Sequence, residues 1–193
     1  HGSFWYYLSQ TQWDHYIDSL LSPIKNHIKA EASVFEVGMG CGAVLKRVKE
    51  CYPDVSLHGI DPEKKAIKLA KKHLPNGHYS VGNGLNLENI PDNQHDLVLA
   101  HCVIIYLKNL KQVKQFCDEI IRVAKPGAKI MITSMIDKDG KKLGTGRIKI
   151  PKTWWSKNLK GATLDKMITI GEIPGCEHQE DRYAVYLTKK HPS

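Results

Sequence analysis

The stretch VFEVGMGCGAVL, from Val34 to Leu45, constrains this chain more than any other. Residues suited to a buried strand run into glycine at every second position, Gly38, Gly40 and Gly42, and then into an apolar run. Glycine permits backbone conformations and close approaches that a side chain would obstruct. A strand that opens into a helix through such a turn brings bare backbone N–H groups up to a ligand at the helix start. The turn alone leaves the ligand open, because Gly38, Gly40 and Ala43 also satisfy the G-x-G-x-x-A form of a dinucleotide site.

Around this turn the pattern alternates. Val34 to Val37 reads as a short buried strand and Ala43 to Cys51 as a helix with Val44, Leu45 and Val48 inward. VSLHGID is a second strand, Pro62 to His73 a helix, HYSVGN a third strand and DLVLAHCVII a fourth. A helix from about Leu110 to Ala124 follows, then a fifth strand, AKIMITSM, entered through the turn KPG. Ahead of them all, Trp13 to Ala30 has helical spacing that Pro23 should bend or end. Strands separated by helices predict a parallel sheet covered on both faces. The pattern changes after Met135, where a lysine-rich segment holds one short helix in IPKTWWSKNL. DKMITIGEI and RYAVYLT then follow without a helix between them and must pair antiparallel. The expected fold is α/β, a seven-stranded, mostly parallel sheet with helices on both faces and a C-terminal antiparallel hairpin.

With 193 residues, 41% of them hydrophobic, the chain fits a single domain over 1–193. A net charge of +8 raises nucleic acid or an anionic substrate as partners. The lysines are dispersed, as on a solvated surface, apart from Lys138, Lys141, Lys142, Arg147, Lys149, Lys152, Lys157 and Lys160. The five cysteines form no C-x-x-C pair, which favours reduced thiols and no metal site. No apolar run approaches the roughly 20 residues of a membrane helix, and the expected location is cytoplasmic, away from membranes.

Three features separate the possible ligands. Glu36 sits two residues before Gly38, where it opposes a pyrophosphate but suits a ligand with a cationic amine. Asp61 ends the second strand, where a carboxylate accepts from ribose hydroxyls. The terminal hairpin is unusual for a dinucleotide fold. With EVGMGCG as the glycine motif, HGIDPE as the ribose motif, DLVLAHCVIIYL as the fourth strand and RVAKPGAKIMIT as the turn into the fifth, the chain resembles the class I S-adenosylmethionine-dependent methyltransferases, in particular their small single-domain type.

That resemblance implies a Rossmann-like fold and S-adenosylmethionine as cofactor, with S-adenosylhomocysteine as product and no metal. It assigns the cofactor site to Glu36, Gly38, Met39, Gly40, Gly42, Asp61, Pro62, Asn83, Gly84 and His101. Asn83 stands where the family usually presents an Asp to the adenine amino group; an amide oxygen accepts the same bond without charge. The resemblance also divides the chain into an N-terminal aromatic lid over 1–30, a cofactor-binding core over 34–135, a substrate-side insert over 136–163 and the hairpin over 164–190.

Methyl transfer from a sulfonium requires collinear partners and exclusion of water, with a general base only where the nucleophile must lose a proton. His101, at the end of the fourth strand, is the candidate base, since an imidazole titrates near neutrality; a packing role beside the cofactor stays open. Cys102 reads as a small buried filler. AHCV does not match the Asn/Asp-Pro-Pro-aromatic motif of amino-group methyltransferases acting on adenine or glutamine, which favours a small-molecule acceptor over nucleic acid. Trp5, Tyr7, Trp13, Tyr106 and Trp154 are the candidate acceptor-binding residues, since aromatic rings enclose cationic or planar groups. The alternatives are an RNA or protein methyltransferase docking through the basic segment, and a cofactor-binding protein without activity. Oligomeric state is not legible.

Overall fold

A computed structural model of the chain describes residues 9–135, 148–173 and 182–192. Trp5, Tyr7, Cys176 and the basic residues Lys138, Lys141, Lys142 and Arg147 lie outside them.

Helix α1 (Gln10–Leu21) starts at Ser9, whose hydroxyl accepts from the Gln12 N–H while the Gln12 side chain accepts from the Ser9 N–H, a reciprocal cap. Pro23 ends it as expected, and the chain tightens into a 3-10 turn over Ser22–His27. Strand β1 (Ser33–Val37) leads through the glycines into α2 (Ala43–Cys51), and β2 (Ser56–Asp61) into α3 (Lys64–His73). The third helix begins two residues later than its sequence suggests, because the Glu63 carboxylate caps it by accepting from the Lys65 N–H.

Strand β3 (His78–Val81) connects to β4 (His95–Ala100) with no helix between them. The fourth strand stops at Ala100, well short of the apolar run through Ile105. Cys102 turns to a φ of +57°, and a 3-10 turn over Ile104–Tyr106 takes the remaining apolar residues. Helix α4 (Leu110–Val123) leads into β5 (Ala124–Met135), α5 (Lys152–Asn158), β6 (Ala162–Thr169) and β7 (Arg182–Lys189).

The seven strands of the described residues form one sheet in the order β3-β2-β1-β4-β5-β7-β6. The first five are parallel. Strand β7 pairs antiparallel with both β5 and β6, so it lies inside the sheet and β6 forms the edge. The expected hairpin is present, and its second strand is the inserted one.

Apolar residues of α1, α2 and α3 cover one face of the sheet, and those of α4 and α5 the other. Two buried polar groups on the hairpin's strand are satisfied. The Trp155 indole N–H donates to the Tyr183 hydroxyl at 2.7 Å, which donates onward to the Ile150 carbonyl, and the Tyr186 hydroxyl donates to the Leu20 carbonyl.

With no helix between β3 and β4, a ladder of rings lines the groove on that face. His95 stacks on Phe35 at 4.6 Å and sits 5.1 Å from His58, which stacks on His78 at 5.0 Å. His95 is 1% exposed, and its Nδ1 shares a hydrogen bond with the Ser33 hydroxyl at 2.8 Å. Burial, reinforced by His58 and Lys125 against an opposing Asp96, brings its imidazole down to about 4. A base held neutral in the fold but protonated once unfolded costs stability as pH falls from its ordinary value toward the lowered one. Acidification from pH 7 to about 4 should therefore remove up to about 3 kcal/mol on His95's account. Urea denaturation across that range checks it: His95→Phe should flatten the slope relative to the parent, and an unchanged slope would mean that His95 does not carry it.

Candidate active site

The carboxyl ends of the parallel strands place Glu36, the glycine turn, Asp61 and His101 along one rim. Gly38, Gly40 and Gly42 take φ values of +71°, +53° and +85°, so the turn between β1 and α2 needs glycine for its backbone alone. Their surroundings differ. A Cβ on Gly38 would meet Val103 at 2.3 Å, whereas one on Gly40 would meet nothing within 4 Å. Gly40 thus faces open space, a cradle a side chain would fill.

The turn is tied to the end of β2. The Ile60 carbonyl accepts from the N–H groups of Gly38 and Met39 at 2.8 and 3.0 Å. The Asp61 carboxylate accepts from the Gly40 N–H at 2.9 Å through Oδ2 and from the Glu63 N–H at 2.8 Å through Oδ1. A carboxylate has about four lone-pair sites, so these two bonds leave capacity for further donors.

Glu36 projects from β1 and is 2% exposed, and its Oε2 has no hydrogen-bond partner. Burial, together with the nearby Asp61 and Cys102, pushes its carboxyl well above the ordinary range against a bond from the Leu45 N–H. An orphaned buried acceptor costs about 1–3 kcal/mol. Most buried polar groups are partnered, so this one marks a place where a donor belongs.

His101 sits where β4 ends. Its Nε2 lies 3.0 Å from the Tyr16 hydroxyl and 3.6 Å from the Cys102 sulfur, and its ring meets Trp13 edge-on at 5.9 Å. Trp13 and Tyr16 stand three residues apart on α1, on one side of the helix. The structure therefore brings Trp13 and His101 together as expected and adds Tyr16. Thr133 on β5 and Arg182 at the start of β7 also reach the Cys102 sulfur, at 3.8 and 3.9 Å. Arg182 arrives because β7 runs antiparallel, which sets its first residue opposite Met135 at the carboxyl end of β5.

The surroundings of the other expected residues are as follows. Met39 is buried at 4%, its side chain wedged against Gly59 and Gly42, so only its backbone faces the turn. Asn83 accepts from the Leu85 N–H at 3.0 Å in a local turn, which leaves a second lone pair on its amide oxygen. Gly84 is required by packing, since a Cβ there would strike Phe116 and Val37 at 2.4 and 2.6 Å. Pro62 lies just before the cap of α3. Tyr106 is exposed. Trp154 meets Trp155 edge-on at 5.3 Å and lines a groove of about 1020 Å³ beside Leu110, Lys111 and Lys114 of α4. Among the described residues, no group of three or more His, Cys, Asp or Glu is placed to hold a metal ion, and no helix is long and apolar enough to cross a membrane.

A seven-stranded α/β sheet with a glycine turn, an acid ahead of it and an acid closing β2 defines a nucleoside-binding class. Residues 35–132 match the methyltransferase domain family, and the chain belongs to the class I S-adenosylmethionine-dependent methyltransferases. It is 32% identical over 103 residues to the uncharacterized methyltransferase YdaC of Bacillus subtilis (strain 168), covering 52% of this chain and 55% of that one. It is 30% identical over 118 residues to ajmaline N-methyltransferase of Rauvolfia serpentina, covering 58% and 38%. The chain thus spans about half the length, or less, of these relatives. The solved structure of the [4+2]-cyclase SpnF superposes with a TM-score of 0.78 at 16% identity, covering 95% of this chain and 83% of that one. That likeness shows the fold; its bearer is named for a cyclisation, so fold alone does not fix the reaction.

Asp61 should matter before any ligand arrives. Asp61→Ala leaves the Gly40 and Glu63 N–H groups without their charged acceptor and should destabilise the protein by about 2 kcal/mol, read by urea denaturation. Unchanged stability would mean that the turn holds its shape without the carboxylate.

Proposed function

We propose that the protein transfers the methyl group of S-adenosylmethionine to oxygen or nitrogen of a small molecule by direct displacement. The observation that carries this reading is the orphaned Oε2 of Glu36 beside the open cradle at Gly40. A buried acid without a donor suits the cationic amino group at the methionine end of this cofactor and disfavours a pyrophosphate. In this reading Asp61 accepts from the ribose hydroxyls while keeping the turn in shape, and backbone N–H groups of the turn lie beneath the ligand.

When bound, the cofactor supplies an electrophilic methyl carbon on a sulfonium. The chain's own groups hold the acceptor in line with it and keep water away, which carries much of the acceleration in such a displacement. Trp13, Tyr16 and His101 form the described wall of the acceptor space. His101, its ring fixed through Tyr16, takes the proton of an acceptor hydroxyl. The match to an enzyme named for N-methylation of ajmaline supports nitrogen of a small molecule as an acceptor.

Calorimetry with S-adenosylmethionine, S-adenosylhomocysteine and a nicotinamide dinucleotide tests the cofactor. The first two should bind and the third should not; the reverse would end the reading. Because Glu36 holds its proton above the ordinary carboxyl range, pairing with a cation should ionise it and release a proton below its raised pKa. Repeating the titration in buffers of different ionisation enthalpy reads that proton, and Glu36→Gln should abolish its release and weaken binding about tenfold. With an acceptor found by screening for S-adenosylhomocysteine release, His101→Asn should leave cofactor affinity nearly intact and lower turnover by about 10²-fold. An undiminished rate would leave positioning as the whole mechanism.

A further inference from the structure

Cys102 does not have the surroundings of a filler. It occupies a φ of +57°, which a non-glycine residue adopts only where its neighbours hold it. Its sulfur lies 3.6 Å from His101 Nε2, 3.8 Å from Thr133 Oγ1 and 3.9 Å from Arg182 Nη1. The Thr133 hydroxyl accepts from the Cys102 N–H at 2.7 Å, which leaves its own proton to point at the sulfur. Two cationic or imidazole groups and a hydroxyl, drawn from β5, β7 and the end of β4, thus converge on one sulfur. Cys117, by contrast, is packed in the apolar core under α4, where burial pushes its thiol far up. Burial would raise Cys102 as well, but His101 foremost, then Arg182 and Thr133, outweigh it and bring the thiol down to about 7. The residue is partly exposed, and its neighbour Val103 presses against Gly38 of the cofactor turn.

We propose that Cys102 is a peroxide-reactive thiolate, a modification site at which a hydroperoxide converts the sulfur to a sulfenic acid beside the cofactor turn. The sulfur attacks one peroxide oxygen; the S–O bond forms as the O–O bond breaks. Cys102 gives up two electrons, and the second oxygen leaves as hydroxide, or as alkoxide from an alkyl hydroperoxide, and takes a proton from solvent. The added oxygen stands against His101 in the acceptor space; one small thiol condenses with the sulfenic acid to a mixed disulfide with loss of water, and a second thiol displaces Cys102 from it and restores the thiol. The proposal does not depend on the identity of the acceptor or on methyl transfer.

The test uses the full chain, freed of reductant and treated with hydrogen peroxide in the presence of dimedone from pH 5.5 to 9. Labelled peptides are quantified by mass spectrometry, with Cys51 as reference in the same digest, its thiol raised by partial desolvation. Cys102 labelling should inflect near pH 7 and at that pH run about fivefold faster than Cys51, the gain in thiolate fraction being partly offset by lower nucleophilicity. His101→Asn should lower Cys102 labelling at pH 7 several-fold and leave Cys51 labelling as it was. An inflection above about pH 8.5 in the parent, or Cys102 labelling no faster than Cys51, would overturn the proposal. The parent's profile decides it even if the variant fails to fold.

Discussion

Two acceptors at the end of β2, the Ile60 carbonyl and the Asp61 carboxylate, take the N–H groups of Gly38, Met39 and Gly40 in succession, and Asp61 takes that of Glu63 as well. A turn with positive φ at every second residue cannot satisfy these donors through helix or sheet ladders, so its shape depends on outside acceptors. Asp61 sets two things at once, the path from β1 to α2 and the path from β2 to α3, and the open space at Gly40 is what lies between them. The same carboxylate raises the neighbouring Glu36. Burial is the larger cause of that rise, and Asp61 adds to it at the rim it shapes.

Burial by itself does not mark a functional group here. His95 and Glu36 are equally hidden, and burial drives both toward their neutral forms. His95, however, has the Ser33 hydroxyl and the Phe35 ring as partners, which makes it part of the packing at the amino ends of the strands. Glu36 has an oxygen with no partner at the carboxyl ends. Accounting for partners separates the structural group from the one awaiting a ligand.

The parts legible in the sequence were those with local causes. Alternating periodicity located every described strand and helix, and α2 has the bounds its sequence implies. The positions of the glycine turn, Glu36 and Asp61 could be read because each stands at the end of a short strand, β1 or β2. Reading failed where distance in the chain intervened. An apolar run through Ile105 looks like continued strand, since composition does not distinguish a buried strand from a 3-10 turn over a core. No local signal placed β7 inside the sheet, so Arg182 was not foreseen at the site, and without Arg182 and Thr133 the sulfur of Cys102 looked inert. Met39 followed the motif while its side chain followed the core, filling the space that Gly59 leaves. Tyr16 was within reach, three residues beyond Trp13 on a helix.

The last strand among the described residues is an interior strand of the sheet. As the polypeptide emerges, β1 to β5 can pair in parallel while the outer side of β5 still lacks Tyr183 to Thr188. Trp155 and Ile150 wait for the Tyr183 hydroxyl, and the carbonyl of Leu20, in the first helix, waits for Tyr186. A nascent chain therefore carries an open, largely apolar strand edge throughout synthesis of the segment from α5 to β6, an edge of the kind that recruits foreign strands. Its closure joins residues far apart in sequence, which makes it a slow step. The interval between the emergence of β5 and that of β7 is thus the time for which that edge stays open, a burden on biosynthesis that the finished molecule no longer displays.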